Sequence, residues 1–295
     1  MQVRELKHED VLNILPDRDP WGHKGSFGKI LLLCGSRGYT GAAYLSSMGA
    51  LRSGAGLVFL GVPESIYEIE AVKLNETVVF PLPDLDGMLD VRAIHEILGR
   101  LPQMDAVLIG CGLGIGSSTE AVVKAVLENA ECPVVVDADG ITLLKAHKDI
   151  LRGRKAPTIL TPHDGEFARI GGDLSAGRVA AARDFAKAHG CILVLKGHKT
   201  IVATPEGNVL VNTTGNSGLA RGGSGDVLTG IIASLLAQGA TPVQAAALGV
   251  WMHGRAGDLA AEKWTEYAMT PEDVIKNLPK VFRELIEKQE EFRGA

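Results

Sequence analysis

The sequence predicts an α/β fold, a three-layer sandwich in which a mostly parallel central sheet is flanked by helices. Short runs rich in Val, Ile and Leu alternate with stretches whose apolar residues recur at helical spacing. The strand-like runs are apolar almost throughout, which is typical of parallel strands covered on both faces. No linker, repeat or low-complexity segment interrupts this alternation, so residues 1–295 are expected to form one domain.

The predicted strands are the short apolar runs that precede the glycine-rich or polar segments. They are Ile30–Leu33, Leu57–Gly61, Thr77–Phe80, Ala106–Gly110, Pro133–Asp137, Pro157–Leu160 and Ile192–Leu195. Helical spacing between them predicts the helices Gly41–Ser53, Val91–Arg100, Thr119–Ala130 and Ala176–His189.

The pattern changes after Lys196. Thr200–Ala203 and Asn208–Val211 flank a Pro-Glu-Gly turn, which predicts an antiparallel hairpin. From Ser224 onward the chain is predicted to be mostly helical. The later helices are Pro242–Glu262 and Pro271–Glu290, and the final residues are expected to fray.

Composition excludes several classes of protein. With 46% hydrophobic and 22% charged residues, the chain is typical of soluble globular proteins. A net charge of −5 and the lack of a basic cluster argue against a nucleic-acid binder. The sequence shows neither an apolar signal-peptide core nor a run long enough to span a membrane, which predicts a cytoplasmic protein. The four cysteines lack CxxC spacing, so no zinc site is expected.

The segment Asn216–Gly230 is a glycine-dense loop that leads into a helix predicted to start near Ser224. The glycines within Gly222–Gly225 allow a sharp turn and close approach to a ligand, because they carry no Cβ. Free amides and the positive end of the helix dipole would favour an anion there, above all phosphate. The carboxylate of Asp226 would repel a bound phosphate, so its presence there is explained only if it takes part in the chemistry. A tight turn with an acid that serves only the dipole is the alternative.

Unusual segments also follow the ends of several other predicted strands, where ligands gather in parallel α/β sheets. They are Cys34–Ala43, Gly110–Gly116, Asp137–Gly140, Thr161–Glu166 and Lys196–Thr200. The glycines of Gly110–Gly116 fit the dinucleotide-binding fingerprint of dehydrogenases poorly, so a Rossmann fold is disfavoured.

Single residues in these segments leave alternatives open. Asp139 either caps a helix or contacts a ligand, and His163 is by default an exposed loop residue. His253 is expected to be a core histidine with its hydrogen bonds satisfied. Lys196 either neutralises phosphate or pairs with an acid, and Arg221 either clamps phosphate or is solvated.

Taken in order, these segments resemble the ADP/ATP-dependent NAD(P)H-hydrate dehydratases, which have a ribokinase-like fold. The similarity runs from about His23 to the helix after Pro271. The matching segments are His23–Gly25 with Gly28, Gly41–Ala43, Ala50–Gly56, Gly110–Gly114, Asp137–Asp139, Thr161–His163 with Gly165 and Glu166, Leu195–Gly197, Gly222–Asp226 and His253–Asp258.

The resemblance implies a repair reaction on the S-form of hydrated NADH or NADPH. The ring hydroxyl would be phosphorylated by ADP or ATP, and departure of phosphate would then restore the double bond. Asp226 would be the base, and the amides of Gly223, Ser224 and Gly225 would stabilise the moving phosphoryl group. Magnesium would screen the phosphates. The resemblance does not decide between ADP and ATP or between NADH and NADPH, and it gives no metal ligands.

The resemblance also implies the binding residues. Those for the hydrated dinucleotide are Ala42, Gly114, His163 and Asp226, and those for the adenine nucleotide are Lys196, Gly197, His198, Lys199, Thr200 and Gly225.

The chain departs from the family pattern at three places. Cys111 stands where proline is common, Gly140 where alanine is common, and Asp164 where proline is common. Many relatives carry an epimerase domain, for which this sequence has no room, so a separate epimerase is expected. A homo-oligomer, with a tetramer as the form common among relatives, is also expected.

Two other functions stay open at this point. The first is a small-molecule kinase that releases its phosphorylated product, and the second is an inactive nucleotide-binding protein.

Overall fold

The computed structural model describes residues 2–12 and 14–294 and has a ten-stranded sheet at its centre. The strands are β1 (Val3–Leu6), β2 (Lys29–Leu33), β3 (Leu57–Pro63), β4 (Val78–Leu82), β5 (Asp84–Leu85), β6 (Met88–Leu89), β7 (Ala106–Ile109), β8 (Val134–Val136), β9 (Thr158–Leu160), β10 (Ile192–Leu195), β11 (Ile201–Ala203) and β12 (Val209–Asn212). The order in the sheet is β1-β12-β11-β10-β9-β8-β7-β2-β3-β4, and β5 and β6 form a separate hairpin. Within the described sheet, β11 alone runs antiparallel to its neighbours.

Helices cover both faces of the sheet. They are α1 (His8–Leu12), α2 (Thr40–Arg52), α3 (Glu64–Lys73), α4 (Ile94–Arg100), α5 (Ser117–Asn129), α6 (Ala138–Leu144), α7 (Asp149–Gly153), α8 (Asp164–Arg169), α9 (Arg178–His189), α10 (Ser224–Ala237), α11 (Pro242–Ala268) and α12 (Pro271–Gly294). None of the described helices is long and apolar enough to span a membrane.

Two apolar cores lie on opposite faces of the sheet, because successive side chains of a strand point in opposite directions. In β2, Ile30 and Leu32 belong to one core, and Leu31 and Leu33 belong to the other. The first core also takes residues from α1 to α3 and from α10 to α12, whereas the second takes residues from α4 to α9. The predicted three-layer architecture with a mostly parallel sheet is therefore confirmed.

Helix α10 lies against α2 in a crossing that small residues permit. A Cβ on Gly230 would lie 2.2 Å from the Ser46 carbonyl oxygen, and a Cβ on Gly49 would lie 2.6 Å from the Val227 carbonyl oxygen. Along the whole of α10, every residue is buried except Gly225 and Asp226. This packing fixes the start of α10 at the edge of the sheet, where those two residues are partly exposed.

The predicted strands and hairpin are all present, with ends shifted by one to two residues. Strands β1, β5 and β6 were not predicted, because all three are short, and β1 and β5 also mix charged with apolar residues. Helix α11 runs further than predicted and is interrupted at Thr265, whose φ is 64°. Helix α12 continues to Gly294. The expectation that the residues after Glu290 fray was therefore wrong for the residues up to Gly294.

Candidate active site

The carboxyl ends of β10, β9, β8, β7 and β2 lie side by side, because these strands are parallel neighbours in the sheet. The segments that follow these strands therefore meet at one edge, as the sequence predicted. The start of α10 lies against the same edge, since α10 contacts both β7 and β8. This edge forms the candidate active site.

The glycine-dense loop ends as a left-handed turn into α10. Gly223 is the residue before the helix, with a φ of 96°, and it offers no side chain to cap the first turn. The Ser224 amide donates to the Arg221 carbonyl at 3.3 Å, whereas the Gly225 amide has no partner among the described residues. An uncapped first turn of a 14-residue helix is suited to an anion.

Asp226 lies in the first turn of α10, and its pKa is raised to about 7. Burial is the main cause, and the neighbouring Asp137 and Glu166 carboxylates act in the same direction. The Cys111 thiol and the Lys196 ammonium act in the opposite direction. A carboxylate with a near-neutral pKa can accept a proton from a hydroxyl, which is what a general base requires.

Lys196 lies beneath the start of α10 and is held by two acids. Its Nζ donates to Asp137 Oδ1 at 2.6 Å and is 3.7 Å from Glu166 Oε2. Burial opposes the charged form, but the two carboxylates raise the pKa of Lys196 overall. A Cβ on Gly225 would lie 3.2 Å from Lys196 Nζ, so the ammonium is close to any anion bound at this helix start. The alternative in which Lys196 pairs with an acid is confirmed, and its role in neutralising phosphate stays a prediction.

His163 caps helix α8 with its own imidazole. Nδ1 accepts the Gly165 amide at 3.0 Å and the Glu166 amide at 3.3 Å, and Glu166 Oε2 accepts the His163 amide at 2.9 Å. A parallel bridge pairs the backbone of His163 with that of Lys196, and about half of the His163 side chain is exposed. His163 is thus exposed, as expected by default, and it also caps a helix.

Ala42 lies against the loop that contains Gly114. A Cβ on Gly112 would lie 2.8 Å from the Ala42 Cβ, so the 110–116 loop packs directly on the first turn of α2. The Gly114 amide donates to Asp139 Oδ2 at 2.9 Å. Asp139 therefore positions the Gly114 loop, a role that the two sequence alternatives did not include.

The segment Lys196–Thr200 forms a strained turn between β10 and β11. Gly197 has a φ of 152° and Lys199 a φ of 57°, and the Thr200 hydroxyl donates to the Gly197 carbonyl at 3.1 Å. His198 and Lys199 are exposed. Their exposure leaves both side chains open to a ligand.

Arg178 supports this turn, although sequence reasoning did not select it. Its guanidinium donates to the carbonyls of Lys196 and His198 at 2.7 and 3.1 Å, and to Asp164 at 3.0 Å. No sequence signal marks this arginine, because its partners are backbone atoms distant along the chain. Asp164, which replaces the usual proline, gains a partner in Arg178.

Asp258 supports the glycine-dense loop in a similar way. Its carboxylate accepts the Gly215 amide and the Asn216 side-chain amide, both at 3.0 Å. The segment His253–Asp258, which resembles the family pattern, was the available sequence signal. The contacts show that Asp258 orders the start of the loop.

One expectation for a single residue was wrong in part. His253 is buried, as expected of a core histidine, but its Nε2 has no hydrogen-bond partner among the described residues. Burial lowers the pKa of His253 to about 4. Arg221 is exposed, which agrees with the solvated alternative, and its guanidinium donates to the Tyr267 carbonyl.

The sheet order, the two covered faces and the anion-suited helix start with its acid define a protein of the ribokinase-like class. A family model described as NAD(P)H-hydrate dehydratase matches residues 30–280. The chain therefore belongs to the NAD(P)H-hydrate dehydratase family.

Similar proteins agree with this family. The chain is 34% identical over 287 residues to the ADP-dependent (S)-NAD(P)H-hydrate dehydratase of Bacillus subtilis, covering 96% of this chain and 99% of that protein. It is 43% identical over 286 residues to the bifunctional NAD(P)H-hydrate repair enzyme of Moorella thermoacetica, covering 95% of this chain and 54% of that protein. The chain thus spans about half the length of such bifunctional relatives.

A solved structure shows the same fold. The ADP/ATP-dependent NAD(P)H-hydrate dehydratase of Bacillus subtilis, co-crystallised with ATP and Mg²⁺, superposes with a TM-score of 0.84 at 32% identity. The match covers 97% of this chain and 99% of that one.

Proposed function

We propose that this protein is a hydro-lyase that returns the S-form of hydrated NADH or NADPH to NADH or NADPH at the expense of ADP or ATP. The single observation that carries the proposal is Asp226, a carboxylate with a near-neutral pKa in the uncapped first turn of α10. Membership in the NAD(P)H-hydrate dehydratase family supports the choice of substrate. Residues 1–295 act as one domain in this proposal.

The first step is phosphoryl transfer. Asp226 accepts the proton of the ring hydroxyl while the hydroxyl oxygen forms a bond to the terminal phosphorus of the nucleotide, whose bridging oxygen departs. The backbone around Gly223, Ser224 and Gly225 stabilises the charge on the moving group, with the free Gly225 amide as the direct donor. Lys196 neutralises part of the phosphate charge from below.

The second step is elimination. The carbon–oxygen bond breaks and phosphate leaves, assisted by the electron pair of the ring nitrogen, and a proton is lost from the neighbouring ring carbon. Phosphorylation is needed because hydroxide is a poor leaving group. In this scheme Ala42, Gly114 and His163 contact the hydrated dinucleotide, and Gly197, His198, Lys199 and Thr200 contact the adenine nucleotide.

The charges at this edge fit a magnesium nucleotide. Asp137 and Glu166 supply carboxylate oxygens beside the phosphate site, and oxygen ligands are those that Mg²⁺ prefers. These two residues would hold the cation together with the nucleotide phosphates, and its charge would screen the phosphate oxygens. We further propose that the protein works in the cytoplasm as a homo-oligomer, with a tetramer as the form to test, and that an epimerase acts on the same hydrate.

The test is a product analysis. Purified protein is mixed with hydrated NADPH, Mg²⁺ and either ADP or ATP, and the near-ultraviolet absorbance of NADPH is followed together with free phosphate. The proposal predicts that both rise in equal amounts. A stable phosphorylated ester without recovery of NADPH would instead identify a small-molecule kinase, which shares the first step.

A further inference from the structure

The fold brings one cysteine next to two aspartates that are distant from it in the sequence. The ligand atoms of Cys111, Asp137 and Asp226 all lie within 4.8 Å of one another. Cys111 Sγ is 3.9 Å from Asp137 Oδ2. The spacing of the cysteines could not predict this cluster, because its members lie on three separate segments. Cys111 follows β7, Asp137 follows β8, and Asp226 lies in the first turn of α10.

The atoms of this cluster face one another, and an ion bound between them would replace the hydrogen bonds that the Cys111 thiol makes to Asp137 and Cys34. Lys196 occupies Oδ1 of Asp137, which leaves Oδ2 directed toward the thiol. The carboxylate of Asp226 has no hydrogen-bond partner among the described residues other than the Cys111 thiol. Thr229 lies behind the sulfur, with its Oγ1 3.4 Å from Cys111 Sγ, and can orient a thiolate from outside the cluster.

Charge also suits a divalent cation. A thiolate, two carboxylates and the Lys196 ammonium together carry a charge of about −2, which one divalent ion neutralises. Cys111 and Asp137 are buried, so an ion would reach them past Asp226, the one partly exposed member of the cluster.

We propose that Cys111, Asp137 and Asp226 form a binding site for a thiophilic divalent cation, with Zn²⁺ as the first candidate, and that this ion blocks catalysis by occupying Asp226. Three protein ligands leave the fourth tetrahedral position for water or a phosphate oxygen. The thiol proton is released to solvent when the sulfur binds the metal. Thiolate ligands favour Zn²⁺ over Mg²⁺, so this site differs in its ligand atoms from the proposed magnesium site, with which it shares Asp137. The prediction that the ion inhibits catalysis rests on the proposed function. The prediction that the ion binds does not.

The experiment titrates the full chain with Cd²⁺ and then Zn²⁺, without nucleotide or substrate and with a phosphine as reductant. Cd²⁺ is the spectroscopic probe, because a cadmium–thiolate bond absorbs in the ultraviolet. We expect one equivalent to bind with this absorption in the unaltered protein. Cys111→Ala is expected to lose the absorption and to weaken Zn²⁺ binding at least about 10- to 100-fold. Loss of a residue that only supports a metal ligand already weakens metal binding by that factor.

Cys191→Ala is the matched control, because Cys191 is also buried but belongs to no group of potential metal ligands among the described residues. It should bind both ions as the unaltered protein does. Asp226→Asn removes a ligand with little change in shape, and it keeps the test decisive if Cys111→Ala does not fold. Equal binding by the unaltered protein and by whichever of these variants folds would overturn the proposal.

Inhibition is measured separately. Zn²⁺ should abolish NADPH recovery, and a chelator should restore it. If the protein shows no dehydratase activity but still binds Cd²⁺ through Cys111, the proposed function fails while the metal site stands.

Discussion

The Lys196 ammonium donates to Asp137 at 2.6 Å directly beneath the first turn of α10. The pair is buried, and only 1% of the Asp137 side chain is exposed. Asp137 follows β8 and Lys196 follows β10, and Asp137 also raises the pKa of Asp226 in α10. The charges of these three elements are therefore coupled. Base strength at the site therefore depends on a residue that need not touch substrate.

Replacing Asp226 with Asn should abolish the reaction and leave nucleotide binding intact. The amide keeps the shape of the side chain but cannot accept the hydroxyl proton. We expect kcat to fall by about 10²- to 10⁴-fold, the usual contribution of a general base. Steady-state kinetics and calorimetric titration with ADP check this. Unchanged turnover would show that another group removes the proton.

The rate should depend on pH through Asp226. A general base acts when deprotonated, and the pKa of Asp226 is raised to about 7. The rate should therefore rise with pH and reach half of its plateau near that value. Asp137→Asn removes a carboxylate that raises this pKa, so the midpoint should move to lower pH. Profiles of kcat for both proteins are the measurement, and an unmoved midpoint would contradict the coupling.

The same carboxyl should make stability depend on pH. Its pKa in the folded protein is raised above the ordinary value of 3.8, so protonation favours the folded state. This stabilisation is complete below the unfolded pKa and is lost as pH rises toward about 7. Asp226→Asn should thus have a higher Tm than the unaltered protein at pH values above that point. Scanning calorimetry at acidic and alkaline pH checks this. If the Tm of Asp226→Asn differed from that of the unaltered protein by the same amount at both pH values, the prediction would be wrong.

Lys196→Met should destabilise the fold. The change leaves Asp137 and Glu166 as buried carboxylates without their cation. Breaking a buried ion pair in this way costs about 3 to 5 kcal/mol. Urea denaturation gives the free energy of unfolding. Lys187→Met, a lysine at the exposed end of α9, is the control and should unfold like the unaltered protein.

Gly230→Ala should loosen the crossing of α2 and α10. The new Cβ would lie 2.2 Å from the Ser46 carbonyl oxygen, so the helices must move apart. Overpacking of this kind costs about 1 to 3 kcal/mol. Gly99→Ala is the control, because Gly99 lies in α4 with open space around it. It should leave stability unchanged or raise it slightly.

The sequence predicted the layers and most of the strands because parallel strands covered on both faces are apolar throughout. It also predicted that Asp226 stands at a helix start suited to phosphate, since glycines and helical spacing are local signals. The short edge strand β1 was missed, because its pairing partner β12 lies about two hundred residues away.

Supporting contacts within the site could not be predicted in the same way. Arg178 binds backbone carbonyls of a turn across the structure, and Asp139 holds the Gly114 amide of another loop. Such hydrogen bonds depend on which loops meet at the sheet edge. The spacing of residues along the sequence does not predict them. The orphaned Nε2 of His253 likewise follows from packing of α11 against the start of α10.

The most direct test of the central claim follows the oxygen atom of the ring hydroxyl. Hydrated NADPH carrying a heavy oxygen isotope in that hydroxyl is converted with nucleotide and Mg²⁺, and the products are examined by mass spectrometry. If Asp226 activates the hydroxyl to attack phosphorus, the heavy isotope must appear in the released phosphate. Heavy oxygen in water, with unlabelled phosphate, would contradict this account.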